Sequence, residues 1–314
     1  MKTIDQALIN QKKFSDLFFD SETMTIEEKE ETTKTFVLAM HAVLSDLVSA
    51  VNYKDHLNSQ DDIDHHKILY KSADAFRYVL ALLNLWGISS DEFVSACEDK
   101  DYFLHTRHSL SEKGWKGQPV ILVDVDDVIA HFRSTFSEWL EAEKGVKTDP
   151  ECKEYYNVSA LLDVGIPPEK AFRDFIDDGG FSKIPEDTNV IAAINQLKDA
   201  GYWIHLVTAR PSDNLRCLYN TYTWLGKSSL KFDAIDFSGE KFRWLADQPF
   251  YNEGKVVCAI DDSPKHSSEY AKHGVQVLTP SLSYNQELRN VKGVTLFDPS
   301  KDNLVELVES LRND

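Results

Sequence analysis

The most constraining feature of the chain is an apolar run, Pro119-Val120-Ile121-Leu122, that leads directly into Val123-Asp124-Val125-Asp126-Asp127-Val128. A short run of β-branched and aliphatic residues is typical of a strand buried on both faces. Carboxylates crowded at the end of such a strand repel one another and lose solvation, which a protein tolerates when a cation, usually Mg²⁺, lies among them. Ligands bind at the carboxyl ends of strands in open α/β sheets, so the sequence predicts a Mg²⁺-dependent site here.

After a linker at residues 111–119, the sequence alternates between predicted strands and predicted helices. This alternation predicts an α/β fold, a parallel sheet covered by helices on both faces. The predicted strands are 120–125, 203–208, 233–237, 256–261, 275–278 and 294–297, and the predicted helices lie near 187–200, 211–225, 264–272 and 302–312. A mostly helical insert at about 131–180 follows the first strand, where it can cover the site.

Residues 1 to about 112 are predicted to be all helix. Thr25-x-x-Glu28 resembles a capping box, and Gly87 is expected to end a second long helix that begins near Asp62. The polar run at residues 58–62 is predicted to be the loop between these helices. A chain of 314 residues is long enough for two domains, so we predict an all-α domain at 1–116 and an α/β domain at 117–314.

Composition limits the classes of partner. The formal net charge of −18 argues against long nucleic acids, whereas small phosphorylated substrates carried with Mg²⁺ are compatible with it. The sequence shows no signal peptide and no run long enough to span a bilayer, so we expect no membrane association. The four cysteines are scattered without a CxxC pair, which favours neither disulfides nor zinc and fits a cytoplasmic location.

Three further predicted strands end in polar side chains. Thr208-Ala209-Arg210 follows the second strand, Lys241 follows the third, and Asp261-Asp262 ends the fourth. Parallel strands would bring these ends to one edge of the sheet. Carboxylates, a hydroxyl and an ammonium could then surround one metal ion and one phosphate.

In this order and spacing, the motifs resemble the haloacid dehalogenase (HAD) superfamily of phosphohydrolases over roughly residues 118–300. The resemblance implies a HAD-like Rossmannoid sheet with a helical cap. It also implies that Asp124 is the nucleophile that forms an aspartyl-phosphate, and that Asp126 is the general acid and then the base. Mg²⁺ would be bound by the Asp124 and Asp261 carboxylates and the backbone carbonyl of Asp126. Asp262 would lie next to these ligands without binding the ion itself.

The same resemblance implies that Thr208, Ala209 and Lys241 bind the transferring phosphoryl group. Burial and nearby negative charge are expected to keep Asp126 partly protonated. Arg210 either contacts the substrate phosphate or forms a salt bridge at a helix end. A glycine is common in the family at the position of Asp127, which either makes a water-mediated metal contact or caps the following turn.

Within the superfamily, the helical insert and the run Phe181-Ser182-Lys183-Ile184-Pro185 resemble the 5′(3′)-deoxyribonucleotidases. This resemblance implies a nucleoside monophosphate substrate. Phe132 and Phe136 are the cap aromatics best placed to stack on a base, and core packing is the alternative.

The first half distantly resembles the all-α nucleoside triphosphate pyrophosphohydrolases of the MazG and dimeric dUTPase group. Those enzymes bind Mg²⁺ through ExxE and ExxD motifs on two helices, whereas the matching positions here are Val43 with Asp46 and Lys71 with Asp74. Half of the ligands are missing, and Lys71 would compete for the remaining carboxylates. We therefore expect a degenerate domain kept for dimerisation or nucleotide sensing, in which Asp46 and Asp74 are remnants of a site or ordinary surface charges.

Together these features favour a cytoplasmic Mg²⁺-dependent phosphatase of (deoxy)nucleoside 5′-monophosphates that forms a homodimer through its helical half. Three alternatives remain open. One is a bifunctional enzyme that converts a dNTP to a dNMP and then to a nucleoside. Another is a nucleotide-binding protein without turnover, and the last is a phosphatase acting on nucleic-acid ends.

Overall fold

The computed structural model describes residues 3–51, 63–111, 114–149, 152, 154 and 158–312. The chain divides into two compact units, Met1–Asp99 and Lys100–Asp314. The division falls within the fourth helix, earlier than the domain boundary predicted at residues 116–117. The predicted loop at 58–62 lies outside the described residues, as do Glu112 and Lys113 of the predicted linker.

The first unit is helical. Its helices are α1 (Ile4–Ser15), α2 (Ile26–Val48), α3 (His65–Leu85) and the first part of α4 (Ser90–Ser111). The predicted capping box at α2 is confirmed, because the Thr25 amide donates to Glu28 Oε2 at 2.8 Å and the Glu28 amide donates to Thr25 Oγ1 at 3.2 Å. Gly87 follows α3 with a φ of +67°, as a helix-ending glycine should.

The core of this unit is small. Ala7 and Leu8 of α1 pack against Leu80 and Leu83 of α3, whereas α2 contributes no buried residue. No described helix has both the length and the apolar character that crossing a membrane requires.

The second unit is built on a six-stranded parallel sheet. Its strands are β1 (Val120–Val123), β2 (Trp203–Thr208), β3 (Ala234–Phe237), β4 (Val256–Ile260), β5 (Val277–Pro280) and β6 (Val294–Phe297), in the order β3-β2-β1-β4-β5-β6. The predicted α/β fold class with a parallel sheet is confirmed. The strand order changes direction between β1 and β4, the position where ligands bind in doubly wound folds.

Helices cover both faces of this sheet. They are α5 (Phe132–Lys144), α6 (Val158–Asp163), α7 (Pro168–Asp177), α8 (Thr188–Asp199), α9 (Leu215–Lys227), α10 (Lys241–Ala246), α11 (Pro249–Asn252), α12 (Pro264–Lys272) and α13 (Leu304–Leu311), with 3₁₀ turns at Gly180–Ser182 and Gln286–Asn290. Alternate residues of β1 face opposite sides, so Ile121 and Val123 belong to one apolar cluster while Val120 and Leu122 belong to another.

The insert after β1, comprising α5, α6, α7 and the first 3₁₀ turn, is the cap. Its chain entry and exit are hydrogen-bonded to each other, because the His131 amide donates to the Pro185 carbonyl and the Asp187 amide donates to the Ile129 carbonyl, each at 2.9 Å. An isolated bridge between Ala130 and Glu186 joins the same two segments. The cap is therefore connected to the sheet through one paired crossing.

Aromatic rings form the interior of the cap. The rings of Phe132 and Phe136 are stacked at 5.6 Å and are 2% and 1% exposed. Both also pack edge-to-face against Phe175. Core packing is thus the alternative that the structure supports for these two residues, since both rings are buried.

Gly180 provides the test of this packing. A Cβ atom built there would lie 2.3 Å from the Phe175 ring, so Gly180→Ala should lower the free energy of unfolding by about 1–3 kcal/mol through overpacking. Urea unfolding measures the change. The matched control is Gly114→Ala, whose Cβ would meet nothing within 4 Å. Equal stabilities of the two variants would contradict the packing described here.

Candidate active site

The carboxyl ends of neighbouring strands bring the predicted site residues together. Asp124 follows β1, and Asp261 and Asp262 follow β4. These two strands pair with Val123 opposite Ile260, and the Asp124 amide donates to the Ile260 carbonyl at 2.9 Å. Lys241 opens α10 after β3. The sheet register therefore places acidic side chains from adjacent strands at the same edge.

Lys241 lies between two of these carboxylates. Its Nζ is 2.7 Å from Asp124 Oδ2 and 2.7 Å from Asp261 Oδ2, and the side chain is 1% exposed. Burial alone would lower the pKa of Lys241, but the two carboxylates outweigh it and raise the pKa above the ordinary lysine range. The ammonium thus stays charged and holds the two strand ends together.

Negative charge exceeds positive charge in this cluster. Burial raises the pKa of Asp124 to about 6, an effect that Lys241 opposes and that Asp261 and Asp126 reinforce. Burial likewise raises the pKa of Asp262 well above the ordinary aspartate range. One ammonium faces three carboxylates, so a further cation would relieve the repulsion.

The acidic cluster has the geometry and chemistry of a divalent-metal site. Asp124, Asp261 and Asp262 each offer an oxygen, and these atoms lie within 4.8 Å of one another. Asp262 Oδ1 is buried and has no hydrogen-bond partner among the described residues. Surplus negative charge, oxygen donors and an unsatisfied carboxylate oxygen fit Mg²⁺. The sequence predicts that Asp262 lies next to the metal ligands, and the structure places one of its oxygens within 4.8 Å of oxygens of Asp124 and Asp261.

The Asp126 side chain points to Arg210 instead of this cluster. Arg210 Nε donates to Asp126 Oδ2 at 2.9 Å and Nη2 donates to Oδ1 at 2.6 Å. The guanidinium also lies 4.3 Å from the Phe181 ring centroid, which fixes its plane. Of the two alternatives for Arg210, the structure thus shows a salt bridge. Negative charge and burial are the surroundings predicted for Asp126, and the structure adds a buried cation that contacts it directly.

A cavity of about 630 Å³ opens beside the nucleophile candidate. Asp124 and Ala209 line it together with Ser263, Pro264, Lys265, His266, Ser283, Tyr284, Gln286 and Glu287. Thr208, which ends β2, is fully buried, and its Oγ1 accepts a hydrogen bond from the Arg210 amide at 3.2 Å. A volume of this size accommodates a ligand considerably larger than phosphate.

Asp127 caps the start of α5. Its φ of +52° lies in the left-handed region, which aspartate adopts more readily than most residues and glycine adopts freely. Its Oδ1 accepts a hydrogen bond from the Arg133 amide at 2.9 Å and so caps the start of α5. Burial raises the pKa of Asp127 to about 7. Capping is therefore the alternative that the structure supports.

Sequence reasoning missed three residues around the cavity. The Tyr284 hydroxyl donates to Asp262 Oδ2, and Asn285 Nδ2 donates to the Asp262 carbonyl at 3.0 Å. His266 lines the cavity and is uncharged at neutral pH, because burial and then the charge of Lys241 lower its pKa to about 4. Tyr284 and Asn285 follow β5, which ends at Pro280 instead of the predicted 278.

The two remnant candidates of the helical unit lie in different surroundings. Lys71 Nζ is 2.9 Å from Asp46 Oδ2, so the predicted competition by Lys71 is confirmed. Asp74 lines a mainly apolar pocket of about 440 Å³ with rings that include Phe14 and Phe36. Among the described residues, clusters of three potential metal ligands occur only at the strand ends of the second unit.

No family model matches the chain, and no curated protein matches its sequence. Among solved structures, a protein described as a predicted phosphoglycolate phosphatase from Haemophilus somnus 129pt matches with 11% identity and a TM-score of 0.43, covering 63% of this chain and 99% of that one. A phosphonoacetaldehyde hydrolase-like protein from Oleispira antarctica matches with 12% identity and a TM-score of 0.47, covering 63% and 94%. A HAD family hydrolase from Deinococcus radiodurans R1 with bound phosphate and sodium matches with 12% identity and a TM-score of 0.42, covering 62% and 97%. At these identities and TM-scores, the chemistry of the site has to be inferred from the positions of its own side chains.

Removing the buried ammonium tests the electrostatics of the cluster. Lys241→Met should lower the free energy of unfolding in EDTA by about 3 kcal/mol or more, because Asp124 and Asp261 would face each other without a cation. Urea unfolding measures this change. The control is Lys231→Met, which removes a lysine from an exposed pair with Asp199 and should have little effect. A Lys241→Met protein as stable as this control would contradict the proposed charge balance.

Proposed function

We propose that the chain is a Mg²⁺-dependent phosphomonoester hydrolase that acts through an aspartyl-phosphate, with (deoxy)nucleoside 5′-monophosphates as its substrates. The observation that carries the proposal is the position of Asp124. Its carboxylate is buried, contacts Lys241, belongs to an acidic cluster with Asp261 and Asp262, and lines a cavity of about 630 Å³. A carboxylate needs cations around it before it can approach a phosphate dianion.

The first chemical step belongs to Asp124. One of its oxygens attacks phosphorus, the bond from phosphorus to the leaving oxygen breaks, and an aspartyl-phosphate forms. Lys241 stays charged beside this carboxylate and offsets part of the charge on the phosphoryl group. Asp124, Asp261 and Asp262 would hold Mg²⁺, which supplies, when bound, the remaining positive charge against the phosphoryl oxygens.

Asp126 is proposed as the proton carrier. It donates a proton to the leaving oxygen and then accepts one from the water that attacks the aspartyl-phosphate, which releases phosphate and restores Asp124. In the present conformation both Asp126 oxygens are bound by Arg210. At least one of these contacts has to open before Asp126 can reach the leaving group. Substrate binding is therefore proposed to break at least one hydrogen bond between Arg210 and Asp126.

The proposed substrate class rests on the size and lining of the cavity. Its volume falls within the range of pockets that enclose small organic ligands. Lys265, whose Nζ also contacts Glu240 at 2.8 Å, and Ser263 line its wall. Because Phe132 and Phe136 are buried, recognition of a base is assigned to these wall residues instead of the cap aromatics.

The proposal predicts phosphate release from a mononucleotide. Deoxynucleoside 5′-monophosphates, ribonucleotides, sugar phosphates and 3′-phosphorylated oligonucleotides are compared with Mg²⁺ and with EDTA, and inorganic phosphate is measured. Asp124→Asn should reduce the rate at least about 10³-fold because it removes the nucleophile. Asp199→Asn, the same change at an exposed position, should leave the rate unchanged. Nucleotide binding without phosphate release at any Mg²⁺ concentration would contradict the proposal.

We also propose that the helical unit pairs with a second copy of itself. Helix α2 buries none of its 23 residues, and Leu38 on α2 and Leu69 on α3 are 69% and 65% exposed. Contact with a second copy would remove these exposed apolar side chains from water. In a twofold dimer, the same exposed leucines of both copies would lie in one interface.

Sedimentation velocity tests this pairing. The unaltered chain should sediment as a dimer, and Leu38→Glu combined with Leu69→Glu should shift it to a monomer because buried carboxylates are costly. Leu162→Glu provides the control, since Leu162 is also exposed but belongs to the cap. A monomeric unaltered chain at micromolar concentration would rule the pairing out.

A further inference from the structure

We infer that Tyr284 is a positioning residue that orients Asp262 for divalent-cation binding. The inference rests on the metal dependence of the proposed function and extends it to a residue outside the predicted motifs. Tyr284 lies in the loop after β5, and its side chain is buried beside the acidic cluster. The role assigned to it is orientation, because the ligand oxygen belongs to Asp262.

The contacts of Asp262 leave one of its carboxylate oxygens for the cluster. The Tyr284 hydroxyl donates to Oδ2, and Asn285 Nδ2 donates to the Asp262 backbone carbonyl at 3.0 Å. Oδ1 is buried and has no partner among the described residues. With Oδ2 engaged, the carboxylate cannot rotate freely, and Oδ1 is the oxygen that can join those of Asp124 and Asp261 around an ion.

The chemistry of a phenol suits this position. A lysine or arginine beside Asp262 would neutralise the charge that attracts a divalent cation, as Lys241 already does for two of the carboxylates. A tyrosine hydroxyl donates one hydrogen bond and adds no charge.

Tyr284 is itself fixed from two sides. On the cap side, the Arg133 guanidinium lies 4.9 Å from the Tyr284 ring centroid, and Arg133 Nη1 donates to Ser283 Oγ at 2.8 Å. On the sheet side, Asn285 Nδ2 donates to the Pro280 carbonyl at 2.8 Å and Asn285 Oδ1 accepts from the Leu282 amide at 2.9 Å. The loop is therefore preorganised, and the hydroxyl meets Asp262 without a further ordering cost.

Direct metal binding tests the inference without catalysis. Mn²⁺ alone is titrated into the full chain, and free Mn²⁺ is measured by electron paramagnetic resonance. Tyr284→Phe should raise the dissociation constant about 10–100-fold, the usual effect of removing a hydrogen bond to a metal ligand. Tyr202→Phe is the matched control, because it removes a buried hydroxyl that contacts Glu309 at 2.9 Å far from the cluster in sequence. Its Mn²⁺ affinity should equal that of the unaltered chain.

Phosphate release supplies a second readout. In Tyr284→Phe, the Mg²⁺ concentration for half-maximal rate should rise by a similar factor, while the rate at saturating Mg²⁺ stays within about threefold of the unaltered rate, since the variant loses ion affinity and no reacting group. If Tyr284→Phe binds Mn²⁺ as tightly as the unaltered chain, the inference is wrong and the proposed function stands. If the unaltered chain itself binds no Mn²⁺ and releases no phosphate, the proposed function fails as well.

Discussion

The buried contact of Lys241 with Asp124 and Asp261 is the interaction on which the second unit depends. Each carboxylate extends a different strand, and the ammonium arrives from a third segment, so the contact fixes β1, β4 and the start of α10 relative to one another. Removing three charges from water is costly unless they are paired this closely. The pairing is incomplete because Asp262 adds a third carboxylate, and this imbalance is what suits the edge of the sheet to a divalent cation.

In the helical unit, a lysine occupies a carboxylate that a metal site would need. Lys71 contacts Asp46 at 2.9 Å, but the two side chains are 30% and 57% exposed, and a pair this accessible to solvent contributes little to stability. The pair also occupies one of the two carboxylates that the resemblance to pyrophosphohydrolases would require. A lysine next to aspartates therefore has different effects in the two units. Lys241 is buried with three aspartates and leaves negative charge for a cation. Lys71 contacts one aspartate and neutralises it.

The strand ends were predictable from the sequence because parallel strands converge at one edge whatever their order. Asp124, Asp261 and Lys241 needed only this rule. Arg210 was not predictable, since a guanidinium binds a phosphate and a carboxylate equally well and only side-chain geometry selects Asp126. Tyr284 was not predicted as a site residue. The apolar pattern predicts a strand at 275–278, two residues earlier than β5, so the sequence did not place the loop after Pro280 at the carboxyl edge of the sheet.

The cap and the sheet share one hydrophobic core. The rings of Phe132 and Phe181 belong to the same apolar cluster as Ile121 and Val123 of β1. The two chain segments that lead into and out of the cap are also hydrogen-bonded to each other, at His131 and Pro185. Because closely packed interiors transmit strain between their layers, the cap should unfold together with the sheet. Its slowest amide hydrogens should then exchange only through global unfolding.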